Sequence, residues 1–242
     1  MEQALPSRKD QAMGQPINLS NRIGFIFDCD GTLLDTMDAW LSMEDVFAAR
    51  VGARITPDQR KGLCTMTMPE EAMWLHTMLG VGSSVKELER EIDDYFMDYY
   101  SNQANPKPGA MEIVESLASK GIPCSIASSS PHAYLEAGLK RTGLFEYFTT
   151  VLSTDDVRAS KRERRIFDTA AAAMETKPHN TWCVDDAIYA VRTMKNAGFN
   201  VIGIHDKESS GTMQQLKREA DIAVESLFDI DVDFILNSRN VA

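Results

Sequence analysis

The chain has 242 residues, and 43% of them are hydrophobic, which is enough apolar material for one large domain or two smaller ones. A formal net charge of −11 argues against nucleic acid or an anionic membrane as a partner, because both attract basic surfaces. No apolar stretch approaches the ~20 residues of a membrane span, and we expect no export signal. The sequence therefore predicts a globular cytoplasmic protein.

The chain begins with a polar stretch that is followed by a buried strand. Residues 1–19 contain Pro6, Gly14 and Pro16 and show no hydrophobic period, which predicts a loosely attached N-terminal tail. The apolar run at residues 23–27 predicts a buried β-strand. We assign residues 20–36 to the same folding unit as the strands that follow residue 108.

Two carboxylates lie one residue apart directly after this strand. Because strand side chains alternate, we expect Asp28 and Asp30 on one side and Cys29 on the other. Two like charges this close either share a proton or hold a metal. Gly31 then provides permissive backbone, and Thr32 brings a hydroxyl and an amide to the same space. The segment therefore indicates chemistry rather than core packing.

A helical period replaces the strand pattern after Asp38. Helices are predicted around Trp40 and from Pro57, Pro69 and Ser84, with no strand between them. The predicted apolar face of the last helix consists of Leu88, Ile92, Tyr95 and Tyr99. We predict a small helical-bundle domain over residues 37–107, which ends in a Pro- and Gly-rich linker.

Strands and helices alternate after this linker. Predicted strands cover residues 122–127, 150–152, 181–184, 201–204 and 222–224, and predicted helices cover residues 111–119, 131–142 and 187–197, with another after Lys161. Such alternation predicts a parallel sheet that helices cover on both faces. The fold class is therefore α/β, a doubly wound, Rossmann-like core over residues 20–36 and 108–242 with the helical domain inserted after the first strand.

The four cysteines are scattered, without a CxxC pair or the spacing of a zinc site. They are Cys29, Cys64, Cys124 and Cys183. We predict that all four are reduced and mostly buried, as is typical of a cytosolic protein.

Polar side chains follow four of the predicted strands. They are Asp28 and Asp30, then Ser128, Ser129 and Ser130, then Lys161, and finally Asp185 and Asp186. Ligands bind outside the carboxyl ends of parallel strands, so these groups are expected to converge on one crevice. Ser130 is predicted to cap a helix whose first residue is Pro131, with free amides near Ser128 and Ser129. The set predicts a site for a divalent cation and a phosphoryl group.

The segment DxDGTLLDT at residues 28–36 resembles motif I of the haloacid dehalogenase superfamily, whose members are mostly phosphate-monoester hydrolases. Ser128, Lys161 and the pair Asp185 and Asp186 follow in the order of the other three family motifs. The resemblance spans residues 23 to about 227. It implies that the helical insertion is a small cap that closes over the crevice and holds most of the substrate specificity.

The resemblance also implies a role for each matching residue. Asp28 is the nucleophile that becomes an aspartyl-phosphate, and Asp30 protonates the leaving oxygen and later deprotonates water. Ser128 and Lys161 bind and neutralise the phosphoryl group, beside the phosphate-binding residues Gly31, Thr32 and Ser129. Mg²⁺ is held by Asp28, the backbone carbonyl of Asp30, Asp186 and, directly or through water, Asp185. The expected partner is a small phosphorylated metabolite, and the expected state is a monomer or homodimer.

Some features have two interpretations. Related sequences often have Lys-Pro-x-Pro where this chain has Lys161 followed by Arg162, so Arg162 and Arg164 are either a solvated first turn or a means of recruiting an anionic substrate. The methionines of residues 64–71 belong either to the core of the cap or to a specificity loop. His76 and His132 are interpreted as ordinary helix residues.

Three alternatives to a phosphatase differ in chemistry. A phosphosugar mutase that resembles β-phosphoglucomutase usually has a His shortly after motif I and an Arg in the cap loop. Here Trp40 takes the place of that His, and residues 63–71 lack Arg. A dehalogenase lacks the second aspartate that Asp30 provides. The third alternative is a catalytically weak family member that serves as a binding or regulatory protein.

Overall fold

A six-stranded parallel sheet forms the centre of the molecule. The computed structural model describes residues 22–63, 66–207 and 211–237, so the predicted tail at residues 1–19 and Cys64 lie outside the described residues. The strands are β1 (Gly24–Phe27), β2 (Leu34–Asp35), β3 (Asn105–Pro106), β4 (Cys124–Ser128), β5 (Phe148–Ser153), β6 (Thr181–Asp185), β7 (Asn200–Ile204) and β8 (Ile222–Val224). The main sheet has the order β5-β4-β1-β6-β7-β8, and every neighbouring pair is parallel.

Helices fill the connections between the strands. They are α1 (Met37–Ala49), α2 (Pro57–Leu63), α3 (Met68–Leu79), α4 (Val85–Asn102), α5 (Ala110–Ser119), α6 (His132–Arg141), α7 (Thr154–Val157), α8 (Arg165–Ala173), α9 (Ile188–Asn196), α10 (Met213–Glu219) and α11 (Val232–Asn237). The sequence patterns missed α7, α10 and α11, which are short and bury at most two side chains each. None of the described helices combines the length and the apolar character needed to cross a bilayer.

Both faces of the sheet are covered. Phe25 and Phe27 of β1 belong to one buried cluster together with residues of α5 and α6. Ile26 points the other way, into a second cluster that includes residues of α8, α9 and α10. This alternation is the reason that β1 is apolar throughout. The predicted α/β class with a doubly wound, Rossmann-like sheet is confirmed.

The helices α1–α4 follow one another between β2 and β3. The longest of them, α4, has Ser84 as its N-cap, and the Ser84 hydroxyl accepts a hydrogen bond from the Glu87 amide at 3.2 Å. The helix α4 buries only the first half of its predicted apolar face. Its buried side chains are Leu88, Ile92, Phe96 and Tyr100, whereas Tyr95 and Tyr99 are only half-buried. Residues 95, 96, 99 and 100 are all aromatic, so the contacts of α4 with neighbouring elements determine which of them are buried.

A second, two-stranded sheet joins the two ends of this helical segment. Leu34 pairs with Pro106 and Asp35 with Asn105 in an antiparallel ladder that the sequence patterns did not predict. The backbone amide of Lys107 also donates to the carbonyl of Leu33 at 2.8 Å. The chain therefore leaves the core and returns to it at neighbouring points.

Candidate active site

The strand order sets which side chains meet at the carboxyl edge of the sheet. β1 lies between β4 and β6, so Asp28 follows the central strand of this trio. Ser128 is the last residue of β4, and Asp185 is the last residue of β6. The Asp28 amide continues the ladder by donating to the carbonyl of Val184 at 2.9 Å. The residues that the sequence places at separate strand ends therefore become neighbours.

Three buried carboxylates and one buried ammonium form the centre of the site. Asp28, Asp185 and Asp186 each offer an oxygen within 4.8 Å of the others. Lys161 Nζ lies 2.7 Å from Asp28 Oδ1 and 2.8 Å from Asp185 Oδ2. The backbone amide of Cys29 donates to the same Asp28 Oδ1 at 2.7 Å. Lys161 is only 2% exposed, so solvent does little to screen these contacts.

The turn after β1 holds Asp186 in place. The Thr32 hydroxyl donates to Asp186 Oδ1 at 2.9 Å. Gly31 has a φ of +80°, and a Cβ at this position would lie 2.7 Å from Asp186 Oδ2. Glycine is therefore required both by the backbone conformation and by the close approach of the carboxylate. On the other side of the cluster, the Ala187 amide donates to Asp185 Oδ1 at 2.9 Å.

Burial and mutual repulsion change the acidity of the cluster. Burial raises the pKa of Asp28 to about 6, against the opposing effect of Lys161. Burial, together with Asp28 and Asp185, holds the pKa of Asp186 well above its usual range. Burial alone would lower the pKa of Lys161, but the carboxylates of Asp185 and Asp28 raise it overall. The ammonium is thus charged, whereas the carboxyls resist being ionised together.

The donor set suits Mg²⁺. Carboxylate oxygens are the ligands that hard divalent cations prefer. Three ionised carboxylates and one ammonium leave a net charge of −2, which one divalent cation would balance. The carboxylate of Asp30 is not among the three that cluster within 4.8 Å. Magnesium itself remains a prediction.

Asp30 is held by hydroxyl groups instead. Its Oδ1 accepts from Thr36 Oγ1 at 2.6 Å and from the hydroxyl of Tyr100. Its Oδ2 accepts from Ser130 Oγ at 2.6 Å and, at the limit of 3.5 Å, from Ser128 Oγ. Burial raises the pKa of Asp30, and these donors oppose the rise. Asp28 and Asp30 therefore have different surroundings although one residue separates them.

The predicted helix cap at Ser130 is wrong. The helix α6 begins at His132 and its N-cap is Pro131. Ser130 instead donates its hydroxyl to Asp30 and its amide to Ser128 Oγ, the latter at 3.2 Å. Ser129 is exposed at the rim, where its carbonyl accepts from the Thr154 hydroxyl at 3.4 Å.

The arginines after Lys161 and the two histidines have local partners. Arg162 stacks on the ring of Tyr189, with its guanidinium carbon 4.6 Å from the centroid. Arg164 forms an i, i+4 pair with Asp168 through two hydrogen bonds of 2.6 and 2.9 Å. The Nδ1 atom of His76 lies 2.8 Å from the Val81 carbonyl, and the Nδ1 atom of His132 lies 2.9 Å from Asp156.

Three residues that the sequence did not assign to the site contribute to it: Thr36, Trp40 and Tyr100. Ser130 was expected at this crevice, but as a helix cap and not as a donor to Asp30. Thr36 is the last residue of the motif segment at residues 28–36, and its hydroxyl was a usable signal. Tyr100 is 70 residues from Asp30, and no sequence pattern connects them.

The chain matches the family model described as "Haloacid dehalogenase-like hydrolase" over residues 25–204. It is 26% identical to validoxylamine A 7'-phosphate phosphatase of Streptomyces hygroscopicus subsp. limoneus over 212 residues, which are 85% of this chain and 94% of that protein. It is 24% identical to phosphorylated carbohydrates phosphatase of Thermotoga maritima over 177 residues, which are 73% of this chain and 82% of the relative.

Solved structures share the fold. CbbY from Rhodobacter sphaeroides in complex with phosphate superimposes with a TM-score of 0.70 at 18% identity, covering 85% of this chain and 95% of that one. A β-phosphoglucomutase from Clostridium difficile has a TM-score of 0.68 at 20% identity, covering 91% and 98%. The named sequence relatives are phosphatases, in agreement with the predicted class of enzyme. The family match covers most of the sequence, and the chain therefore belongs to the haloacid dehalogenase-like hydrolases.

Proposed function

We propose that this hydrolase is a Mg²⁺-dependent phosphatase that acts on a small phosphorylated metabolite through an aspartyl-phosphate on Asp28. One observation carries the proposal, namely the separation of two adjacent carboxylates into different environments. Asp28 lies in the charged cluster with Lys161, and Asp30 lies among hydroxyl donors. Carboxylates whose surroundings differ in this way are suited to different roles.

Asp28 is the proposed nucleophile. Lys161 and the Cys29 amide both contact its Oδ1, so Oδ2 is the oxygen we assign to attack. The Oδ2–P bond forms as the ester P–O bond breaks, and the electron pair goes to the leaving oxygen. Lys161 offsets the charge of the phosphoryl group, and Ser128 supplies a hydroxyl beside it. Phosphoryl transfer depends mainly on such positioning and charge neutralisation.

Asp30 is the proposed general acid and base. It gives a proton to the leaving oxygen in the first step, because an alkoxide is a poor leaving group. In the second step it takes a proton from the water that attacks phosphorus, and the Asp28 Oδ2–P bond then breaks. Inorganic phosphate and free Asp28 are the products. The raised pKa of Asp30, caused by burial, favours the protonated form that the first step needs.

We assign the metal to Asp28, Asp185 and Asp186, with the backbone carbonyl of Asp30 as a further ligand. When bound, Mg²⁺ supplies positive charge that offsets the repulsion between a carboxylate and a phosphate dianion. Thr32 shapes this part of the site by donating to Asp186, and Gly31 leaves room for the Asp186 carboxylate. Ser129, at the exposed rim, is the remaining proposed phosphate contact.

We propose that residues 37–107 act as a cap that contacts the leaving group. The segment leaves and re-enters the core through β2 and β3, and α4 packs against α6 beside the carboxyl end of β4. The relatives' names refer to validoxylamine A 7'-phosphate and to phosphorylated carbohydrates, so we expect the phosphate ester of a carbohydrate or of a similar small metabolite. A cytoplasmic location and a monomeric or homodimeric state stay predictions.

A panel of phosphomonoesters tests the proposal, with phosphate release measured in the presence of Mg²⁺ or of a chelator. We expect release from at least one sugar phosphate, dependent on the metal. Asp28→Asn should abolish release and leave the circular dichroism spectrum unchanged, and substantial residual turnover in that variant would rule out the nucleophile. Isomerisation of a hexose phosphate without release would favour the mutase, and no reaction with any ester would favour a binding protein.

A further inference from the structure

Trp40, Tyr100 and Asp30 form a chain of hydrogen bonds with a fixed direction. Trp40 Nε1 lies 2.8 Å from the hydroxyl oxygen of Tyr100. An indole N–H can only donate, so the Tyr100 oxygen must accept. The hydroxyl hydrogen of Tyr100 is then directed to Asp30 Oδ1. The chain therefore ends on the carboxylate that we assign to proton transfer.

Aromatic packing determines where the Tyr100 hydroxyl lies. Tyr100 is fully buried, and its ring stacks on Tyr134 at a centroid distance of 5.4 Å. The indole of Trp40 stacks on Phe96 at 4.1 Å. A Cβ added to Gly138 of α6 would lie 2.9 Å from Tyr100 Cδ1, so the helix backbone closely approaches the ring. These contacts leave the hydroxyl little freedom to move away from Asp30.

The hydrogen bonds from Trp40 through Tyr100 to Asp30 also connect two parts of the molecule. Asp30 lies at the catalytic edge of the sheet, whereas Trp40 is on α1 and Tyr100 is on α4. The other close donors to Asp30 are Ser130, which follows β4 of the main sheet, and Thr36, which lies at the boundary between β2 and α1. Tyr100 is thus the donor that links the carboxylate to the interior of the helical segment.

We propose that Tyr100 is a positioning residue for Asp30 and that Trp40 orients Tyr100, so that helices α1 and α4 set the direction from which the core donates its proton. The inference rests on the proposed function, in which Asp30 protonates the leaving oxygen. Positioning of this kind changes the step that needs a proton and has little effect on a step that does not.

The test compares two substrates that differ in their need for a proton. An alkyl phosphate needs protonation of its leaving oxygen, whereas p-nitrophenolate leaves without it. For Tyr100→Phe we expect kcat/KM to fall about tenfold with the best alkyl ester of the panel and at most about twofold with p-nitrophenyl phosphate. Equal losses with both substrates, or no loss with either, would overturn the inference.

Tyr134→Phe is the matched control. Tyr134 is buried and stacks on Tyr100, but its hydroxyl donates to Asp93 at 2.5 Å and not to Asp30. We expect this variant to keep the wild-type ratio between the two substrates. Trp40→Phe should shift the ratio in the direction of Tyr100→Phe but less strongly, and it should add nothing in the double variant, because both act through one hydroxyl.

Asp30→Asn separates a failure of the inference from a failure of the proposed function. If Asp30→Asn shows no selective loss with the alkyl ester, the proposed role of Asp30 is wrong. If Asp30→Asn shows that loss and Tyr100→Phe does not, the role of Asp30 stands and only the positioning by Tyr100 is refuted. Selective loss in both variants, larger for Asp30→Asn, supports the two together.

Discussion

Thr32 Oγ1 donates a hydrogen bond to Asp186 Oδ1 at 2.9 Å, which joins residues 154 positions apart. Thr32 is fully buried, and Asp186 is 4% exposed. The bond fixes one carboxylate of the predicted metal site to the turn that carries Asp28. It therefore connects the first and the last of the four sequence motifs through a single side chain.

Thr32→Val should weaken Mg²⁺ binding without a large change in shape. Groups that orient metal ligands typically contribute about 10- to 100-fold to metal affinity, and we expect the Mg²⁺ concentration for half-maximal activity to rise within that range. A Mg²⁺ titration of activity measures it. Thr32→Ser keeps the hydroxyl and should stay near the wild-type value, and a similar shift in both variants would contradict the role of the hydroxyl.

Gly31→Ala should displace a carboxylate of the predicted metal site in addition to straining the backbone. A Cβ would lie 2.7 Å from Asp186 Oδ2, so the carboxylate must move, and we expect activity to fall by at least about 100-fold. Gly52→Ala is the control, because Gly52 also has a positive φ, of +72°, but a Cβ there would have nothing within 4 Å. Both variants should lose about 1 kcal/mol of unfolding free energy. Normal activity in Gly31→Ala would refute the clash.

Lys161→Met should destabilise the metal-free protein. It leaves Asp28 and Asp185 buried without their shared ammonium, and breaking a buried pair costs about 3–5 kcal/mol. Urea unfolding with and without Mg²⁺ measures the loss, and Mg²⁺ should recover part of it. Lys195→Met removes the partly exposed pair with Asp221 and should cost about 1 kcal/mol or less. Comparable losses in the two variants would contradict the arrangement.

Glu71→Gln should stabilise the protein in a pH-dependent manner. Burial, and then the nearby Glu44, raise the pKa of Glu71 to about 8 in the folded state, from 4.5. Since the folded state binds this proton more tightly than the unfolded state, the group destabilises folding progressively as the pH rises from 4.5 to about 8. The gain in Tm for Glu71→Gln should therefore be near zero at about pH 4 and largest above about pH 8.

Glu70→Gln is the neighbouring control for this prediction. Hydrogen bonds from the Thr67 amide and hydroxyl lower the pKa of Glu70, so its ionised form favours folding above pH 4.5 and this contribution is lost below it. The variant should therefore lose a little stability at neutral pH. A gain in Tm for both variants at high pH would show that general acidity of the chain, and not the burial of Glu71, is responsible.

The presence of a parallel sheet, though not its strand order, was predictable from short apolar runs that alternate with helical patterns. The predicted positions of Asp28, Ser128 and Asp185 at strand ends followed from the same pattern, and parallel pairing brings strand ends together. Lys161 lies eight residues after the end of β5, with α7 between them. No long-range information was needed for these residues. The family order of the motifs then indicated the chemistry.

The hydrogen bond between Tyr100 and Asp30 was not predictable, for a different reason. The helix α4 has two aromatic faces, one with Tyr95 and Tyr99 and one with Phe96 and Tyr100, and the sequence alone favours neither. Packing against α6 selects the face with Phe96 and Tyr100, and this rotation brings the Tyr100 hydroxyl to Asp30. A contact that depends on which of two similar faces is buried has no local signal. The capping prediction at Ser130 failed similarly, since a distant carboxylate competed for the hydroxyl.

The short ladder between β2 and β3 makes the geometry of the sheet independent of the length of the helical segment. Leu34 and Pro106 are paired across it, so the 71 residues between them begin and end one strand spacing apart. Any insert whose own ends meet at that spacing could occupy the position without changing the register of β1 with β4 and β6. Substitutions and insertions in the helices can therefore accumulate while the reaction centre stays constant, except at the hydroxyls of Thr36 and Tyr100, through which the described part of the insert reaches Asp30.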